Sequence, residues 1–223
     1  MLHLPYENRH DAGVRLADGL ARHNISKNTV VLALARGGVP IGFEIAERFG
    51  LALDVIVVRK LGVPWQPELA MGAVAGTAHT LDQTIIRELM ISPEEVREVL
   101  VRETTEMKRR EKLYRQGRPA IDVTHHPVIL VDDGIATGNT LIAAIRHAHH
   151  LRALKVTVAA PVGSQEGCAH VRRESEGAVC ICLAMPQDFS AVGEWYAHFP
   201  QVEDEEVCRL LMENRHEPLS SAH

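Results

Sequence analysis

Short apolar runs alternate along this chain with longer stretches in which apolar residues recur every three to four positions. Thr29 to Ala35, Leu53 to Val58, Pro127 to Val131, Val156 to Ala160 and Ala178 to Leu183 are short and rich in valine, leucine and isoleucine. Runs of that kind fit strands buried on both faces. Asn8 to His23, Val39 to Phe49, Gly138 to Leu151 and the stretch around Glu166 to Glu174 have helical spacing instead, and Leu141, Ala144, Ile145 and Ala148 share one stripe. Asn24-Ile25-Ser26-Lys27-Asn28 breaks the first helix. A strand, a helix and a strand in succession predict a parallel pair with a right-handed crossover. The alternation as a whole predicts an α/β fold, with a doubly wound, mostly parallel sheet flanked by helices.

Three segments depart from the alternation. Glu68 to Leu81 carries Ala70, Gly72, Ala73, Ala75 and Gly76, as expected for close-packed strands joined by a turn at Gly76-Thr77. Ser92-Pro93-Glu94-Glu95 combines a capping residue, a proline at the first helical position and early acidic charge, and opens a long charged helix to Arg115. Its second half is basic (Lys108, Arg109, Arg110, Lys112, Arg115), and it ends near Gly117-Arg118-Pro119. In the tail, Phe189, Trp195, Tyr196 and Phe199 are four of the nine aromatic residues, and Asp204-Glu205-Glu206 begins another helix. The expected organisation is one domain over 1–223, with a core of about 28–184, a charged helical insertion of about 92–116 and a small C-terminal hood-like appendage of about 185–215.

Composition narrows the function. With 46% hydrophobic and 24% charged residues the chain is neither disordered nor membrane-like. No apolar run approaches the ~20 residues of a spanning helix. The opening Met1-Leu2-His3-Leu4-Pro5-Tyr6-Glu7 lacks the basic and apolar halves of a secretory signal, so a cytoplasmic location is expected. Lys and Arg number 24 against 29 Asp and Glu, a net charge of −5, so an anionic ligand must be held locally and nucleic acid is not an expected partner. Cys168, Cys180, Cys182 and Cys208 form no CxxC pair and read as reduced, mostly buried thiols. His147 and His150 lie three apart on one helix without an acidic or cysteine partner nearby in sequence, and read as solvated. His125-His126 reads as a polar lead-in to a strand.

The most informative stretch is Val128 to Thr140, VILVDDGIATGNT. Ligands in open parallel sheets sit beyond the carboxyl ends of strands, where Asp132 and Asp133 fall. The small residues that follow let backbone N–H groups turn inward, and the helix starting near Gly138 adds its positive end, which together make a phosphate cradle. Thr137 and Thr140 offer hydroxyl donors. The paired carboxylates suit a sugar diol or an ion carried by the ligand. At the end of the first strand, Arg36-Gly37-Gly38 permits close backbone approach to an anion. Arg59-Lys60 stands at the end of the second strand.

This constellation resembles the signature of type I phosphoribosyltransferases, which bind phosphoribosyl pyrophosphate (PRPP). The resemblance covers approximately Val30 to Ala160 and implies roles for individual residues. Asp132 and Asp133 would take the ribose hydroxyls, and Gly134, Ile135, Ala136, Thr137, Gly138, Asn139 and Thr140 the 5-phosphate. Arg36, Gly37 and Gly38 would form the pyrophosphate loop, with Arg59 and Lys60 facing the pyrophosphate or a lid. Glu68 to Ala75 is similar to a stretch common in purine-type members. Mg²⁺ would arrive with PRPP near Asp132 and Asp133. The long helix from Ser92 departs from the short loop that closes the site in many members.

The implied reaction transfers ribose 5-phosphate to a nitrogenous base with release of pyrophosphate, aided by Arg36 and Lys60. A PRPP-binding regulatory protein without transfer activity is the alternative, and a Rossmann oxidoreductase is disfavoured because no G-x-G-x-x-G follows the first strand. Phe189, Trp195 and Tyr196 are the candidate base-covering residues, set against a role in anchoring the C-terminal helix to the core, the more usual one for large aromatic residues. The acceptor and the oligomeric state are left open, dimers being common in the family.

Overall fold

The computed structural model describes residues 4–217 apart from 176 and 215. In chain order it runs α1 (Arg9–Leu20), β1 (Val30–Leu34), α2 (Gly38–Phe49) and β2 (Ala52–Ile56), then the antiparallel strands β3 (Val58–Val63), β4 (Gln66–Ala75) and β5 (Ala78–Leu81). Next come α3 (Gln83–Glu88), α4 (Pro93–Arg115), β6 (Pro127–Val131), α5 (Asn139–His150), β7 (Lys155–Val162), α6 (Gln165–Glu174) and β8 (Val179–Ala184). A 3₁₀ turn (Val192–Trp195) and α7 (Asp204–Glu213) complete the chain.

The main sheet is parallel in the order β2-β1-β6-β7-β8. Strands β1 and β2 are buried along their whole length because both faces are covered. Val31, Ala33, Leu53, Val55, Ile129 and Val131 meet the apolar stripes of α1 and α2. Val30, Leu32, Leu34, Val128 and Leu130 meet those of α5 and α6. Each such valine, leucine or isoleucine contributes about 1.5–3 kcal/mol on burial. The chain leaves β1 toward β2 on one side and returns to β6 on the other, so the strand order reverses between β1 and β6. The carboxyl ends of those two strands therefore open a crevice.

The small sheet β3-β4-β5 is antiparallel and rests on α5, with Ala73 and Ala75 in the same core as that helix. Helix α4 starts at a capping box in which Ser92 Oγ accepts from the Glu95 N–H and the Glu95 carboxylate accepts from the Ser92 N–H. Its far end is pinned to β2, where Arg115 Nε donates to buried Asp54 at 2.8 Å and Arg115 Nη2 to the Val55 carbonyl at 2.7 Å. Among the described residues no helix is long and apolar enough to cross a membrane.

Three sequence expectations change. The run Leu53 to Val58 is not one strand: β2 stops at Ile56 and Val58 already pairs with Ala75 in the second sheet. Arg59 and Lys60 therefore lie inside β3 rather than at the end of a parallel strand, because the apolar run from Val55 to Val58 carries no mark of the change of sheet. His147 is not solvated. Its ring lies against Gly76, where an added Cβ would fall 2.0 Å from it, and burial lowers its pKa. His126 leads into β6 as expected and is buried there, with Nδ1 2.8 Å from the Asn28 carbonyl.

Candidate active site

Where β1 ends, the chain passes through a cis Ala35–Arg36 peptide into Gly37 and the first turn of α2. Both glycines are needed for the approach to β6. A Cβ on Gly37 would fall 1.9 Å from Asp133 Oδ2, and one on Gly38 2.4 Å from the Val131 carbonyl oxygen. The loop Arg36-Gly37-Gly38 and the pair Asp132-Asp133 thus form one surface. They are joined there by tertiary structure alone.

Each carboxylate of the pair is held by one oxygen. Asp132 Oδ1 accepts from the Asp133 N–H at 2.9 Å. Asp133 Oδ2 accepts from Arg9 Nε at 3.0 Å and lies 2.9 Å from Arg9 Nη2. Burial, and then the neighbouring Asp133 charge, push the Asp132 carboxyl well above the usual carboxylate range. Burial also raises Asp133, against the opposing pull of Arg9.

Arg9 carried no signal in the sequence. It belongs to the first turn of α1, 124 positions from Asp133. Its third nitrogen, Nη1, donates to the Pro200 carbonyl at 2.6 Å, and its guanidinium carbon stands 3.8 Å from the centre of the Phe199 ring. Asn8 caps the helix by accepting from the Asp11 N–H, which fixes the turn that carries Arg9.

The loop after the pair is braced from behind. Ile135 is buried and pairs with the end of β7 through its N–H to the Val162 carbonyl at 2.9 Å, while Ser164 N–H donates to its carbonyl at 2.7 Å. Ser164 Oγ donates to the Ala136 carbonyl at 2.6 Å. Gly138 takes a left-handed conformation (φ 82°) directly ahead of α5. Ala136, Thr137, Asn139 and Thr140 are exposed around the start of that helix, whose free N–H groups and dipole favour an anion.

Arg36 reaches across to the C-terminal segment, with Nη1 3.7 Å from Glu203 Oε2 and 3.6 Å from Asp204 Oδ1. Arg59 is bound to buried Glu103 of α4, Nη2 donating at 2.8 Å. Lys60 donates to the carbonyl and carboxylate of Glu68, both at 3.1 Å. The basic pair is thereby engaged with α4 and β4, and the structure does not bring it into contact with Asp132 or Asp133.

The aromatic tail covers the start of the loop. A Cβ on Gly134 would meet Val192 of the 3₁₀ turn at 2.5 Å. Tyr196 is buried, stands 5.6 Å from Tyr6 between ring centres, and donates its hydroxyl to the Asp133 carbonyl at 2.6 Å. Phe189 and Trp195 form a separate stacked pair, 6.5 Å apart and 12° from parallel, and both are half-buried.

The chain is similar in sequence and fold to known proteins. The phosphoribosyl transferase domain matches residues 6–182. A Mycobacterium tuberculosis protein, found in strains CDC 1551 and H37Rv and provisionally named a phosphoribosyl transferase, is 41% identical over 207 residues, which is 92% of this chain and 46% of that protein. The chain thus spans about half the length of the curated relatives it matches. The crystal structure of TT1426 from Thermus thermophilus superimposes with a TM-score of 0.77 at 38% identity, covering 93% of this chain and 98% of that one. A Neisseria gonorrhoeae protein crystallised with bound ppGpp has a TM-score of 0.51 at 11% identity, covering 96% and 100%, a likeness of fold alone. On the strength of the domain match and the 41% identical relative, this chain belongs to the phosphoribosyl transferase domain family.

Proposed function

We propose that this protein is a PRPP-dependent transferase that moves ribose 5-phosphate from Mg²⁺–PRPP to a nitrogenous base. The observation that carries the reading is the contact between Arg36-Gly37-Gly38 and Asp132-Asp133 at the point where the strand order reverses. Protein hydrogen bonds engage Asp132 Oδ1 and Asp133 Oδ2, which leaves one oxygen of each for the two hydroxyls of a ribose. The N-terminus of α5 and the hydroxyls of Thr137 and Thr140 suit the 5-phosphate. The N-terminus of α2 and Arg36 suit the pyrophosphate, whose charge grows as the bond to ribose breaks.

Asp132 and Asp133 are the hard oxygen donors that would share a Mg²⁺ brought by PRPP. The pair supplies only two carboxylates, so oxygens of the substrate would complete the donor set. Bound there, the ion would supply neutralising charge to the pyrophosphate. The protein's own part is alignment: the carboxylates fix the sugar, the two helix ends fix the phosphates, and Tyr196 of the tail holds the Asp133 backbone.

The test is titration calorimetry of the full chain with Mg²⁺–PRPP, followed by a nucleobase panel read by pyrophosphate release. Binding in the wild type, lost in the folded D132N/D133N variant, supports the site. Unchanged affinity in that variant would refute it. Binding without release on any base would favour a PRPP-responsive regulator.

A further inference from the structure

The role of Arg9 goes beyond that of a partner for one carboxylate. We propose that Arg9 is a positioning residue that sets the ribose-facing carboxylate of Asp133 and, with the same guanidinium, locks the C-terminal segment over the site. The part concerning ribose rests on the function proposed above. The part concerning the C-terminal segment does not.

All three nitrogens of Arg9 and one ring face are used. Nε and Nη2 converge on Asp133 Oδ2, Nη1 takes the Pro200 carbonyl and Phe199 lies against the guanidinium. The side chain is 10% exposed and that of Asp133 17%, so these contacts are shielded from solvent. A planar fork can serve two acceptors and a ring at once, whereas an ammonium presents a point charge. Oδ2 of Asp133 is also the atom closest to Gly37. Arg9 therefore fixes that oxygen beside Gly37, which leaves Oδ1 to the ribose. The neighbouring backbone follows the same line: Ala197 and His198 N–H groups donate to the Tyr6 and Glu7 carbonyls at 2.7 and 2.9 Å, just ahead of α1. One side chain thus ties α1, the acidic pair and the tail together.

The test compares the full-length wild type with R9M and R9K in two measurements. One is Mg²⁺–PRPP affinity by titration calorimetry, well below the melting temperature of each variant. The other is amide hydrogen exchange at Ala197 and His198 without ligand. R9M is expected to bind about tenfold to a hundredfold more weakly, as for loss of charge-assisted hydrogen bonds to a carboxylate that must be preplaced. It is also expected to speed exchange at the two amides by about tenfold. R9K keeps the charge but not the fork and should remain clearly weaker than wild type in both.

R9M within twofold of wild-type affinity, or R9K indistinguishable from wild type, would overturn the proposal. If R9M does not fold, R9K decides by the same criteria. If wild-type protein does not bind Mg²⁺–PRPP at all, the ribose reading fails by itself. Exchange then decides the lock, and unchanged rates in both variants would refute it.

Discussion

Gly37→Ala isolates the contact on which the site depends. Gly37 has φ −61° and ψ −32°, a conformation that alanine adopts readily, so backbone strain does not enter. Reduced freedom of the unfolded chain should even favour alanine by about 0.4–1 kcal/mol. Against this stands one clash, the new Cβ at 1.9 Å from Asp133 Oδ2 and 2.6 Å from its Cγ. Relief requires the carboxylate or the loop to move by roughly 1 Å, at an overpacking cost of about 1–3 kcal/mol. The same shift strains the Arg9 bonds at 2.9 and 3.0 Å.

The net destabilisation is at most about 2.6 kcal/mol, with a midpoint of about 1.3 kcal/mol that lowers Tm by roughly 3–5 °C for a chain of this size. Thermal melts of wild type, G37A, D133A and G37A/D133A provide the assay. With the carboxylate removed, G37A should become neutral or slightly stabilising, since its clash is with that side chain and its backbone is already suited. A G37A penalty of equal size in the D133A background would refute the reasoning, because the strain would then lie elsewhere.

Asp132→Asn should raise Tm at neutral pH. The folded-state pKa of Asp132 is raised by burial and by Asp133, so the stability it contributes is present below the unfolded value and is lost as pH rises through the folded one. The advantage of Asn should shrink as pH falls from the raised folded value toward about 4 and be gone below it, where the carboxyl is neutral in both states; a constant difference across pH would contradict this. Arg115→Met should cost about 3–5 kcal/mol, because it strands the Asp54 carboxylate in the interior. Asp54 is 6% and Arg115 15% exposed, and a Tm within about 2 °C of wild type would show the pair to be dispensable. For the tail, Trp195→Ala and Phe189→Ala are compared by Tm and acceptor KM. A stacked base contributes roughly 1–3 kcal/mol, so a selective rise in acceptor KM supports a base-covering role, and a fall in Tm without it supports packing alone.

Much of this was local chemistry and therefore legible in one dimension. Strands buried on both faces are mostly apolar, and helices facing a sheet carry a stripe, so the doubly wound core could be read from periodicity. Asp132 and Asp133 lie directly ahead of their small-residue loop, and Arg36-Gly37-Gly38 ends its own strand. The cap of α4 at Ser92 and Glu95 was equally visible, because its partners lie within one turn.

Other features depend on residues far apart in the chain, and the tertiary structure decided them. The run from Leu53 to Val58 divides between two sheets because β4 offers Val58 a new partner, Ala75. Arg59 meets Glu103 and His147 meets Gly76 only after the small sheet has settled on α4 and α5. Arg9 joins Asp133 from 124 positions away and Pro200 from 191. A sequence marks a side chain by its neighbours, and Arg9 among Asn8 and His10 reads as an ordinary polar first turn. Its place is set by burial: once α1 packs on the sheet, the guanidinium is taken out of water and must find acceptors, and the nearest are the carboxylate of Asp133 and the carbonyl of Pro200.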